Sequence, residues 1–136
     1  MNTQFIIPGK PMGKQRPRMT KQGICYTPKE TVSYENLVKM CFVEAGCQRL
    51  EGQIEAEIEA YYPIPKSMSK KDRERVHYGI LYPTKKPDVD NIAKAILDSL
   101  NGIAYHDDSQ VVSLTINKYY GEPKVWVKLT EVNYET

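Results

Sequence analysis

Cysteine is scarce and poorly spaced: Cys25, Cys41 and Cys47 are the three in 136 residues, an odd set with no C-x-x-C pair. They read as reduced thiols and exclude a disulfide framework or a thiolate zinc site. The two histidines, His77 and His106, are too few for an imidazole-built metal centre. No G-x-S-x-G or comparable serine setting occurs, which disfavours a Ser/His/Asp nucleophile. No apolar run approaches the ~20 residues of a membrane-spanning helix. The start, MNTQFIIPGK, lacks the charged opening and long apolar middle of a signal peptide. A cytoplasmic protein without a membrane partner is therefore expected. Acidic residues are also missing from Met1 to Lys29, where Lys10, Lys14, Arg16, Arg18, Lys21 and Lys29 all lie.

What is present is an ordinary globular composition, 40% hydrophobic and 26% charged, at a length that suits one domain over residues 1–136. The net charge of +2 says little, but its distribution says more. A second basic run, Lys66, Lys70, Lys71, Arg73, Arg75, Lys85 and Lys86, follows the first, while Glu51, Glu55, Glu57 and Glu59 cluster elsewhere. Such asymmetry suits a polyanionic partner. Residues 10–26, rich in Gly, Pro and base, read as an extended arm or a loose hairpin around Lys21-Gln22-Gly23. Its plain reading is a solvated loop. Its functional reading is a phosphate grip through Lys14, Arg16 and Arg18, with prolines limiting the entropy lost on binding.

Periodicity places the elements. Gln4 to Ile7 is a short strand ended by Pro8-Gly9. Thr27-Pro28-Lys29-Glu30 is a helix start with Thr27 as cap and Glu30 closing a capping box. That helix should run to Ala45 with Tyr34, Leu37, Val38, Cys41, Phe42 and Ala45 inward. Gln53 to Tyr62 alternates strictly, a strand with one wet face. Residues 63–87 read as a mobile basic flap or an ordinary surface loop, with Ser67 or Ser69 capping a short helix over Lys70 to His77. Val89, Ile92, Ala93, Ile96, Leu97 and Leu100 form the apolar stripe of a second main helix, stopped by Asn101-Gly102. Gln110 to Tyr120 should point Val112, Leu114 and Ile116 inward, and Lys124 to Val132 returns with Val125, Val127 and Leu129 inward. The order β-α-β-(flap)-α-β-β predicts a small α+β domain, one mixed sheet with two helices packed on one face.

The most suggestive residues are Asp88, Asp90, Asp107 and Asp108, at the two ends of that second helix. Taken singly they are a cap and a turn, the commoner use of such residues. A cap needs only one carboxylate, however, and here a D-x-D is followed by Lys94 one helical turn on. Crowded carboxylates without imidazole or thiolate call for a hard cation, magnesium or manganese. An EF-hand is a poor match, because D-V-D-N-I-A-K lacks the mid-loop glycine and the Glu at the loop's end. Carboxylate-held Mg²⁺ beside basic arms suggests phosphodiester hydrolysis, with Lys94 neutralising charge on the phosphate or orienting water.

The stretch D-V-D-N-I-A-K-A-I-L-D-S-L-N from Asp88, followed by H-D-D-S-Q-V from His106, closely resembles the RusA family of Holliday-junction resolvases. These are small homodimeric endonucleases often encoded by phages and prophages. The resemblance implies metal-binding roles for Asp88, Asp90 and Asp108 and a catalytic role for Lys94. Asp98 matches the family's helical Asp and Gln110 the Gln after the acidic pair. Asp107 either binds metal through water or shapes the turn, and His106 is read as incidental. The implied activity is Mg²⁺-dependent, paired nicking of four-way DNA junctions by a dimer in recombination and repair. Lys14, Arg16, Arg18, Lys70, Lys71, Arg73, Lys85 and Lys86 would hold the DNA backbone. Tyr26 would stack on an unpaired base or lie buried. The 63–87 segment is longer than in compact members. Two rival readings stand: a metal-dependent nuclease for flaps or single strands, and a non-catalytic nucleic-acid-binding module whose acids are caps.

Overall fold

The strictest alternation in the chain builds its central strand. In the computed structural model, which describes residues 1–133, Gln53–Tyr62 is one strand, with Ile54, Ala56, Ile58, Ala60 and Tyr62 buried on one face. Numbered in chain order, the strands are β1 (Asn2–Pro8), β2 (Arg18–Met19), β3 (Cys25–Tyr26), β4 (Gln53–Tyr62), β5 (Val111–Tyr120) and β6 (Lys124–Val132). The helices are α1 (Lys29–Glu44), α2 (Lys70–His77) and α3 (Val89–Ser99). One mixed sheet has the order β1-β6-β4-β5, and β2 with β3 forms a separate small hairpin. β4 and β5 run parallel, as a helical crossover between them requires, whereas β6 is antiparallel to both β1 and β4. The molecule is thus an α+β domain.

The core lies between the sheet's apolar face and two helices. Ile92 and Ile96 of α3 and Val38 of α1 are fully buried with Ile58, Val125, Val127 and Leu129. α1 packs against β1 and α3. Phe42 meets Phe5 edge-on, with ring centroids 5.5 Å apart. α2 buries no residue and is held locally: Ser69 caps it by accepting from the Asp72 amide at 3.1 Å. The 63–87 segment therefore carries a third helix, which its few apolar residues could not anchor to the core.

Four expectations need correction. α1 begins after Pro28 with no side-chain cap, so Thr27 and Glu30 form no capping box. Ala45 is exposed, because α1 has already ended. Val89 is 40% exposed, while Ala95 and Ser99 are buried, so the α3 stripe is rotated toward its later turns. Val112 and Leu114 are exposed, at 58% and 42%. A register shift between Ile54 and Glu55 pairs Val111 with Ile54 and Ser113 with Glu55, leaving Val112 outside the ladder. Leu114 lies opposite Ala56, on the strand at the sheet's edge.

Candidate active site

The entrance of α3 is pinned from two strands. Tyr62, at the end of β4, donates its hydroxyl to the Pro87 carbonyl at 2.8 Å, and Lys118 of β5 donates to the Lys85 carbonyl at 2.7 Å. Burial and the neighbouring Asp88 charge push the Tyr62 phenol up to about 12, so it stays a donor at neutral pH. Asp88 is therefore delivered to the N-cap of α3 by fixed backbone. Its carboxylate makes no capping bond and remains free for a ligand. Asp90 follows in the first turn, and Lys94 lies one turn further on.

These three side chains line a cleft of about 500 Å³ with Asn91, Lys86 and the arm residues Lys14, Gln15, Arg16 and Pro17. A second hollow of about 450 Å³, beside α1, contains no aspartate. The cleft holding Asp88 and Asp90 is the candidate active site.

The arm is docked onto α3 instead of standing free. The Lys14 ammonium pairs with Asp98 at 2.7 Å, and its backbone N–H donates to Asn91 Oδ1 at 3.2 Å. The Gln15 N–H donates to Thr31 Oγ1 of α1 at 3.2 Å. The hydrogen bond to Asp98 raises Lys14 above the usual lysine range against the opposing effect of burial. Burial would push Asp98 up, but Lys14 and the shared hydrogen bond with Asp108 outweigh it and leave Asp98 below the usual carboxylate range. Asp108 moves the other way: its carboxyl meets that of Asp98 and is raised by this contact, then by burial.

The loop from α3 to β5 places Asp108 through side chains that the sequence motif contains for physical reasons. Asn101 Oδ1 accepts from the Asp108 amide at 2.7 Å. Gln110 Oε1 accepts from the His106 and Asp107 amides at 2.8 and 3.0 Å, while its Nε2 donates to the Gly52 carbonyl at 3.0 Å. Asp107 caps the following turn by accepting from the Ser109 amide at 3.0 Å, and the Ser109 hydroxyl, then this amide, hold its carboxylate below the usual range. Tyr105, fully buried, anchors the loop beneath. Gln110→Ala removes three hydrogen bonds on an exposed loop. It is expected to cost about 1 kcal/mol, seen in a thermal melt as a Tm lower by about 3–5 °C.

The sequence-predicted residues thus fall into groups. Asp88, Asp90 and Lys94 share the cleft; Asp108 lies with Asp98 and Lys14; Asp107 shapes its turn. Among the described residues, no group of three or more Asp, Glu, His or Cys side chains converges closely enough to hold a metal on its own. The donor chemistry, carboxylate oxygens with neither sulfur nor imidazole among them, still fits a hard divalent cation. Of the basic candidates, Arg16 and Lys86 face the cleft, and Lys70 and Lys71 are exposed on α2. Lys85 and Arg18 are exposed as well. Arg73 instead spends its guanidinium on the Met68, Pro65 and Lys66 carbonyls at 3.1–3.3 Å. Tyr26 is 45% exposed on β3. Asn91 was missed as a site residue, although its place in D-x-D-N made it visible.

Comparison with known proteins agrees with this arrangement. Residues 8–130 match the family model described as endodeoxyribonuclease RusA. The chain is also 36% identical over 137 residues to the uncharacterized protein YqaN of Bacillus subtilis (strain 168), covering 96% of each chain. No helix among the described residues is long and apolar enough to cross a membrane. The matched span takes in the arm, the cleft and the Asp108 loop together, and the chain belongs to the RusA endodeoxyribonuclease family.

Proposed function

We propose that this endodeoxyribonuclease resolves four-way DNA junctions with a divalent cation, Mg²⁺ or Mn²⁺, held by Asp88 and Asp90 in the cleft and joined by Asp108 from its neighbouring loop when the ion binds. The observation that carries this is the cleft itself, where two carboxylates free of capping bonds face Lys94, Arg16 and Lys86. Carboxylates alone would repel a phosphodiester, and lysines alone could not activate water. The combination suits hydrolysis of a phosphate. When bound, the cation supplies a hydroxide nucleophile at neutral pH and offsets charge on the phosphate oxygens. Lys94 neutralises charge on the transferring phosphorus, and Arg16 and Lys86 orient the strand. Asp107 keeps to its turn, with any link to the cation running through water.

The other exposed bases, Arg18, Lys70, Lys71 and Lys85, track the flanking backbone, with residues 63–87 acting as a flap beside the cleft. Two cuts across a junction need two such sites, supplied by a homodimer. The edge of β5, uncharged from Val111 to Asn117 with Val112 and Leu114 exposed, supports a second copy in this role. The setting is cytoplasmic recombination and repair, including that of phage or prophage DNA.

The test compares a mobile four-way junction with flap, single-stranded and linear duplex substrates in Mg²⁺. Junction cleavage at paired, symmetric positions is expected, at a rate at least about tenfold above the others, equivalent to about 1.4 kcal/mol of discrimination. Equal or faster cleavage of flaps would favour the broader nuclease reading. No cleavage of any substrate would favour the non-catalytic nucleic-acid-binding module.

A further inference from the structure

The arm is the part of the site that residue type alone describes least well. Lys14 looks like a phosphate ligand, yet its ammonium is already committed to Asp98 across 84 positions of sequence. Both partners are mostly shielded, with side chains 29% and 24% exposed, so the pair is not a loose surface contact. Two further observations point the same way. The Lys14 amide is held by Asn91 and the adjoining Gln15 amide by Thr31, so the backbone is docked on both α3 and α1. Gly13 packs so closely that a Cβ there would collide with the Asn91 amide and lie 3.1 Å from the Cβ of Pro87. Residues just after the latch, Arg16 and Pro17, then line the acidic cleft together with Asp88 and Asp90.

We propose that Lys14 is a positioning residue: its ion pair with Asp98 fastens the arm onto α3 and so holds Arg16 over the cleft where the scissile phosphate enters. The role deepens the nuclease reading and rests on it for its catalytic consequence, but the docking itself can be read without DNA. Lys14 acts through Arg16, its own ammonium being held by Asp98. The chain entropy that would let Arg16 wander is removed before the substrate arrives, which raises the fraction of encounters with a correctly placed cation.

The experiment uses the full chain, with Lys14→Met, Asp98→Asn, the double variant and Lys14→Arg. Amide hydrogen exchange without DNA should rise about tenfold or more at residues 14 and 15 in either single variant. The double variant should add little beyond either one, because both break the same contact. Junction cleavage by Lys14→Met should fall about tenfold in kcat with KM nearly unchanged, and Lys14→Arg should restore much of it. The opposite pattern identifies a phosphate grip and overturns the proposal: unchanged exchange, weaker DNA binding, and a salt slope reduced by about 0.9. If exchange rises as expected while the wild type cleaves nothing, the latch stands as a docking contact and the nuclease reading fails separately.

Discussion

Asp90→Asn should reduce metal-dependent DNA cleavage by about 10³-fold or more, with binding to the same DNA largely retained. The substitution keeps the shape of the side chain and its place in the first turn of α3. What it removes is one of the two carboxylates that line the cleft without a competing capping bond. A ligand lost from a divalent cation takes several kcal/mol of transition-state stabilisation with it. At 1.36 kcal/mol per tenfold, that corresponds to at least about three orders of magnitude in rate. Binding is carried by bases elsewhere, so a filter or gel-shift measurement in Ca²⁺ should move little, or improve slightly as a negative charge disappears. A variant that still cleaves within tenfold of wild type would remove Asp90 from the chemistry.

Ile96→Ala should cost about 2–5 kcal/mol of stability, although the residue lies outside the cleft. Ile96 is fully buried on α3 and belongs to the same core as Val38, Ile58 and the inward side chains of β6. Its truncation leaves a cavity in well-packed surroundings, and close packing limits how far neighbours can collapse into it. A thermal melt should show a Tm lower by about 6–25 °C. The cost should also reach the site, because the helix that Ile96 anchors carries Asp90, Lys94 and Asp98 and has Asp88 at its N-cap. A shift of only one or two degrees would mean that α3 is held mainly by its pinned entrance at Pro87.

The elements were legible in the sequence where one face alone is buried. β4 and β6 have the bounds that alternation gives, because α1 and α3 cover one face of the sheet and leave the other wet. β5 carries a similar pattern but lies at the edge, where a residue on the inner face can still be bare, as Leu114 is. The bulge at Val112 depends on pairing with β4, and no local pattern announces it. Thr27 is a good cap by type, but the helix takes its first turn after Pro28, whose fixed φ already suits the helix entrance.

The site was legible to the extent that its residues sit on one helix. Asp88, Asp90 and Lys94 share the cleft because a D-x-D followed by Lys four residues on places them so. The pairing of Lys14 with Asp98 joins an arm to a helix late in the chain, and periodicity carries no information about such a contact. Arg73 shows the same limit, since its basic type suggests phosphate while its geometry closes a turn over Met68 and Pro65. Gln110 is the converse. The motif marks it as special, and its three hydrogen bonds give the reason, which is to fix the loop that presents Asp108.

The account depends on a divalent cation binding at the end of α3, and calorimetric titration of Mn²⁺ or Mg²⁺ into the DNA-free protein tests this most directly. The wild type should bind with saturable heat, and Asp88→Asn and Asp90→Asn should each weaken binding by about tenfold or more. A wild type that takes up neither ion, or variants that bind as tightly as wild type, would contradict the assignment of these aspartates to a metal.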